Sequence, residues 1–213
     1  MAADADLTAS PEVYRFLGEL LGMKDEAEEL AIYAEKTFRD IDQMNVPEDK
    51  RVRVYFGNGE DSLETAPAGS AMARRWICKG GQCGSGRDSR RLTGADFPRA
   101  ASGVEPGCDS CKWRAKADLS GASAAETLLN NPDYASLKAV QEKKVYGTPN
   151  APFSWVDRPQ GPNRIVGLRW LSGLLYPEYL NMDVDQEVKE FFRLFYHVEL
   201  TDEQLQKVYN GTI

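Results

Sequence analysis

Residues 151–180 read APFSWVDRPQGPNRIVGLRWLSGLLYPEYL, and this stretch decides the fold. Its first half is a loop. Pro152, Pro159 and Pro162 each fix φ and remove a backbone donor, which argues against strand or helix there. The loop holds Phe153, Trp155, Asp157 and Arg158. A helix is predicted from about Asn163, because Ile165, Leu168, Trp170, Leu171, Leu174 and Leu175 recur at helical spacing. Pro177 marks its end. A proline-stiffened loop on a buried helix is suited to presenting a binding surface. The alternative is that Trp155 belongs to the core and Arg158 pairs with Asp157.

The remainder of the chain frames this stretch. At 213 residues, with 42% hydrophobic and 28% charged residues, the composition is that of an ordinary globular protein. A net charge of −7 argues against nucleic acid as a partner. No apolar run is long enough to span a bilayer. The first residues, MAADADLTASPEVYRF, lack the basic and apolar regions of a signal peptide, so none is expected on this chain. His197 is the sole histidine, and no paired-carboxylate motif stands out, so no catalytic residue is assigned and no enzyme is expected.

Upstream, Ser10-Pro11 is a helix start with Ser10 as N-cap. Val13, Phe16, Leu17, Leu20 and Leu21 form an apolar face, and Gly22 is the stop. A long helix is predicted from about Lys24 to Met44, with Ala27, Leu30, Ala31, Ala34, Phe38 and Ile41 inward and an acidic first turn. After Pro47, RVRVYF (51–56) alternates like a strand and runs into a turn-rich loop, GNGEDSLETAPAGS. Short helices are predicted at 122–130 and 134–140, a strand at 143–147, a helix at 183–195, and a capping box at Thr201–Gln204 opening a last helix.

Residues 74–116 differ from the rest. They carry ten basic and four acidic residues inside an acidic chain, and all four cysteines: Cys78, Cys83, Cys108 and Cys111. No helical or strand period is visible there. Taken at face value, C-x4-C…C-x2-C is a loose zinc pattern with a wide first pair, and a small zinc-stabilised interaction module is the alternative reading of the chain.

The segments LKAVQEKKVYGTPNAPFSWVDRPQGPNRIVGLRWLSGLLYP and EVKEFFRLFYHVELTDEQL resemble the iron-complex substrate-binding proteins of ABC importers, the helical-backbone class serving ferric siderophores, haem and cobalamin. RVYFGNGEDSLETAPAGS resembles the first strand and loop of that family's C-terminal lobe, and FLGELLGMKDEAEELAIYAEKTFRDI its inter-lobe helix with the helix before it. The resemblance covers about 11–73 and 120–210, and the W-x-D-R-P loop is its most specific part. It implies an α/β, Rossmann-like three-layer C-terminal lobe of a periplasmic-binding-protein fold with a long inter-lobe helix. It divides the chain into 1–46, the end of the N-terminal lobe and the inter-lobe helix, and 47–213, the C-terminal lobe. It further implies a metal-chelate ligand captured between two lobes, no cofactor of the protein's own, and ABC permease transmembrane subunits as partner. The full-length parent would be periplasmic or lipid-anchored outside the cell. The ligand-binding residues it suggests are Trp155, Phe153, Arg158 and Asp157, with Asn58 and Glu64 on the opposing loop. Nearly the whole N-terminal lobe of the family has no counterpart here.

Segment 74–116 departs from the family, which has a helix–strand unit there. A one-base shift offers a reason. With synonymous codons chosen, Asp96 to Lys116 reads in the shifted frame as Ile-Ser-Arg-Glu-Gln-Leu-Leu-Ala-Trp-Asn-Pro-Asp-Val-Ile-Leu-Ala-Ser-Gly-Glu-Gln, a peptide of the family's type. The segment is therefore expected to be a frame-shifted translation, with its cysteines as free thiols in a poorly ordered loop. A central strand of the sheet would then be lost.

Overall fold

The computed structural model describes residues 7–52, 54–58, 64–65, 108–112, 124–156 and 161–210. They form α1 (Ser10–Leu21), α2 (Lys24–Asp42), β1 (Val54–Asn58), β2 (Glu64–Thr65), β3 (Cys108–Lys112), α3 (Ala124–Asn130), α4 (Lys138–Gln141), β4 (Val145–Thr148), α5 (Asn163–Leu175), α6 (Val184–Tyr196) and α7 (Asp202–Asn210). The chain divides into two compact units. The first joins residues 1–46 to 153–207, and the second holds 47–152 with the last six residues.

The first unit is helical. Its core is set by α2, which buries Ala27, Ala31, Tyr33, Ala34 and Thr37, and by α5, which buries every residue from Asn163 to Arg169. Small residues along α2 let its neighbours approach closely. Against it, α6 supplies Val188, Phe191 and Phe192. Phe191 stacks on Phe195 at 4.7 Å between ring centroids, and Tyr33 meets Phe195 edge-on at 5.8 Å. Such aromatic pairs add about 1 kcal/mol each beyond their buried area.

The helix ends follow capping chemistry. The Asp183 carboxylate accepts from the Asp185 and Gln186 amides at 3.0 and 3.2 Å and opens α6. His197 closes it in the left-handed region, at φ 55°. Thr201 and Gln204 form the expected reciprocal capping box, with bonds of 2.9 and 3.2 Å. Ser10 is a correction. It is the first helical residue rather than the cap, and Ala9 precedes it without a side-chain bond.

One buried cation, Arg169, ties the helices together. Arg169 on α5 is 0% exposed. Its Nε donates to Thr37 Oγ1 at 2.8 Å, and its Nη1 lies 3.2 Å from Asp40 Oδ2 and 3.3 Å from Glu187 Oε2. Its guanidinium carbon sits 4.9 Å from the Tyr33 ring centroid. The Tyr33 hydroxyl donates to the Glu187 carbonyl at 2.9 Å, and burial pushes its pKa upward. Lys36 is also bonded to the Glu187 carboxylate. One guanidinium thus fixes α2, α5 and α6 against one another.

The second unit holds a four-stranded sheet in the order β2-β1-β3-β4. The β1/β3 and β3/β4 pairs are parallel and β1/β2 is antiparallel. Helices α3 and α4 pack on β3, and α3 also packs on β4. The inner strand β3 is a correction, since no strand was expected within 74–116. It lies between β1 and β4, with Val54 opposite Cys108 and Asp109 opposite Val145. Of the expected helix at 134–140 only Lys138–Gln141 is α-helical, after a single 3-10 turn at Pro132–Tyr134. Among the described residues no helix is long and apolar enough to cross a membrane.

Arg169→Met keeps the stem of the side chain but leaves Asp40 and Glu187 without their shared partner. Breaking a buried ion pair from one side costs about 3 kcal/mol or more. The urea midpoint of Arg169→Met is expected to fall accordingly, and the double variant with Glu187→Gln to recover part of the loss.

Candidate functional site

The loop before α5 is seated by three contacts within the helical unit. The first is a backbone contact. A Cβ on Gly167 would lie 1.9 Å from the Trp155 carbonyl oxygen and 2.8 Å from its carbon. Only glycine lets α5 come this close to the loop. The second is Asn163, at the start of α5 and 2% exposed. Its Nδ2 donates to the Phe153 carbonyl at 3.1 Å, and its Oδ1 accepts from the Tyr196 hydroxyl. One side chain thus joins the loop backbone to α6. Burial pushes the Tyr196 pKa up, while the bond to Asn163 works the other way.

The third contact is Trp155 itself, and here the sequence expectation is corrected. Trp155 is 0% exposed. Its ring meets Trp170 edge-on at 6.4 Å and Phe192 at the same distance with a tilt of 49°. It anchors the loop as a core side chain and offers no face to a ligand. The alternative reading of Trp155 as core is the one the structure supports.

Phe153, two residues earlier, is turned outward and is 51% exposed. Between them, Ser154 is buried and its Oγ accepts from the Val156 amide at 3.4 Å. The loop therefore alternates: Phe153 out, Ser154 and Trp155 in. Asp157 and Arg158 lie outside the described residues, immediately after this anchored segment. Asn58 and Glu64 belong to the other unit. They are brought together there as register partners on β1 and β2.

Sequence reasoning missed Asn163 and Gly167. Both lie in a segment read for its apolar period, and neither is apolar. The available signal was their placement: a glycine on the buried face of a helix, and an amide at its first position directly after a proline-rich loop.

Of the four cysteines, Cys108 and Cys111 fall on β3, and Cys78 and Cys83 lie outside the described residues. Among the described residues there is no cluster of three or more His, Cys, Asp or Glu groups placed to hold a metal ion.

Gly167→Ala forces the loop backbone away from α5. Overpacking of this kind costs about 1–3 kcal/mol, and the helix preference for alanine offsets at most about 1 kcal/mol. The variant is expected to lower the urea midpoint and to red-shift the tryptophan emission as Trp155 loses its enclosure. An unshifted spectrum would show that the loop is not held by this contact.

No known family profile matches the chain. Comparison with solved structures finds an ABC transporter solute-binding protein from Sulfurospirillum deleyianum, at 27% identity and TM-score 0.80, covering 97% of this chain and 63% of that one. A periplasmic solute-binding protein from Veillonella parvula follows at 18% identity and TM-score 0.76, covering 98% of this chain and 62% of that one. The molybdate-binding protein MolA of Haemophilus influenzae is similar in both comparisons. Its structure gives TM-score 0.64 at 21% identity, covering 94% of this chain and 60% of MolA. Its sequence is 30% identical over 70 residues, which is 32% of this chain and 20% of MolA. The chain spans less than two thirds of the length of each of these proteins. The chain is similar in fold to solute-binding proteins of ABC transporters.

Proposed function

We propose that the chain is the C-terminal lobe and inter-lobe helix of a substrate-binding component of an ABC importer. It would capture an iron(III)–siderophore or related metal chelate, such as haem or cobalamin, and deliver it to the permease transmembrane subunits. In this reading the sheet unit is the Rossmann-like layer of that lobe, and the full-length parent works outside the cytoplasmic membrane. No step of bond making is involved.

The observation that carries the reading is the seated loop. Gly167, Asn163 and Trp155 hold its backbone from three directions, while Phe153 remains exposed a few residues before Asp157 and Arg158 in the sequence. A loop fixed before the ligand arrives loses little entropy on binding. Phe153 offers an apolar face to a planar ligand. Arg158 is the group to attract an anionic chelate, with Asp157 orienting it. Asn58 and Glu64 are the weaker candidates, for the ligand or the permease. Trp155 is omitted from the ligand contacts because it is enclosed.

A second ligand reading is a small oxyanion, and the similarity to a molybdate-binding protein favours it. The same arginine serves either anion. The zinc module stays as the alternative reading, with Cys108 and Cys111 three positions apart on one strand and Cys78 and Cys83 outside the described residues.

The position of β3 also supports the frame-shift reading of 74–116. With synonymous codons chosen, the shifted frame across 108–112 can read Val-Ile-Leu-Ala-Ser, which opens with the apolar, β-branched residues that suit an inner parallel strand. The residues written in this chain, Cys-Asp-Ser-Cys-Lys, are not of that type. Five residues of the shifted peptide therefore coincide with β3.

Tryptophan-quenching titrations with a ferric siderophore, haem, cobalamin and molybdate test the function. Saturable binding of one of them is expected, weakened at least tenfold, or about 1.4 kcal/mol, by Arg158→Ala. Binding untouched by both Arg158→Ala and Phe153→Ala would overturn the site. Absence of binding to all four, with one zinc ion retained per chain, would favour the zinc module.

A further inference from the structure

The guanidinium that pins three helices is unevenly used. Nη1 of Arg169 faces three acceptors: Asp40 Oδ2 at 3.2 Å, Glu187 Oε2 at 3.3 Å and the Met182 sulfur at 3.1 Å. A terminal guanidinium nitrogen carries only two hydrogens, so these acceptors compete. Nη2 also carries two hydrogens. It is buried and meets no acceptor among the described residues. One end of a buried charge is crowded and the other idle, and a buried donor left unmet is destabilising.

Met182 is the member of this cluster that chemistry can change. It stands in the connection between α5 and α6 and is half-buried. Its thioether is a weak acceptor beside two carboxylates. An added oxygen makes the same side chain polar and a far better acceptor. Methionine has three rotatable side-chain bonds, which let that oxygen swing from Nη1 toward Nη2. The other described methionines differ: Met44 is buried, and Met23 is exposed at the end of α1.

We propose that Met182 is a site of oxidation by peroxides, with Arg169 holding the sulfoxide through Nη2. A sulfur lone pair attacks one peroxide oxygen, an S–O bond forms and the O–O bond breaks. The hydroxyl proton passes to the departing hydroxide, which leaves as water. The sulfur loses two electrons and the peroxide gains them. Sulfoxides formed in a core commonly disrupt it, because a polar oxygen replaces apolar contact. Here the oxygen meets a buried charge that lacks an acceptor, so oxidation tightens the tie among α2, α5 and α6. The inference is independent of which solute the chain binds.

The test treats the 213-residue chain and Met182→Leu with hydrogen peroxide, and peptide mass spectrometry follows the gain of one oxygen at each methionine. Met182 is expected to oxidise about threefold faster than Met44, or more, because susceptibility follows exposure. Urea midpoints are then compared once Met182 is fully converted. The leucine variant lacks this site while its other methionines react alike, so the gap between the two proteins isolates Met182. Treatment is expected to shift that gap in favour of the chain with Met182. Oxidation of Met182 no faster than that of Met44 would overturn the proposal. So would a gap that stays the same or shifts against the chain, since the sulfoxide would then have found no partner at Nη2.

Discussion

The helical unit depends on the requirement that a buried guanidinium be neutralised. Arginine keeps its charge at any accessible pH, so Arg169 is tolerable in the core only where fixed anions and acceptors surround it. Those groups come from α2 and α6: Thr37 and Asp40 on one, Glu187 on the other. Satisfying one side chain therefore sets the position of three helices. Once α5 is placed, Gly167 and Asn163 have their positions too, and the loop from Phe153 to Val156 can seat in only one way. The chain of dependence runs from a charge in the core to a phenylalanine on the surface.

Under the proposed binding role, Trp155 and Ser154 secure the loop from inside and leave Phe153 exposed for a ligand. A rigid mount lets ligand selectivity change through exposed loop residues without disturbing the core. The similar solved structures share this fold and include a molybdate-binding protein alongside other solute-binding proteins.

Much of the scaffold was legible in the sequence because it follows local rules. The period of α5, the capping box at Thr201 and the strand near Val145 all appear where hydrophobic spacing and cap chemistry put them. What escaped depended on tertiary partners. Trp155 has the composition of a binding residue, and only the approach of Trp170 and Phe192 makes it core. Arg169 stands among apolar residues, and its partners lie on other elements; Glu187 is on the next helix, and Thr37 and Asp40 precede it by more than a hundred positions. The apolar period of α1 is correct, yet Phe16, Leu17, Leu20 and Leu21 are exposed among the described residues. Strand β3 gave no signal because Cys-Asp-Ser-Cys-Lys neither alternates nor carries β-branched residues.

That strand is where the account is most exposed. An inner parallel strand of this composition contradicts the pattern of such strands, while the proposed shifted frame, with synonymous codons chosen, would supply the pattern at the same five positions. A nucleotide read across codons 70 to 120 decides between them. The account predicts that the frame shifted by one base spells Trp-Asn-Pro-Asp followed by Val-Ile-Leu-Ala-Ser over codons 104–112. A shifted frame that is nonsense there would contradict it. The cysteine segment would then be genuine, and the lobe would have been turned to a different use.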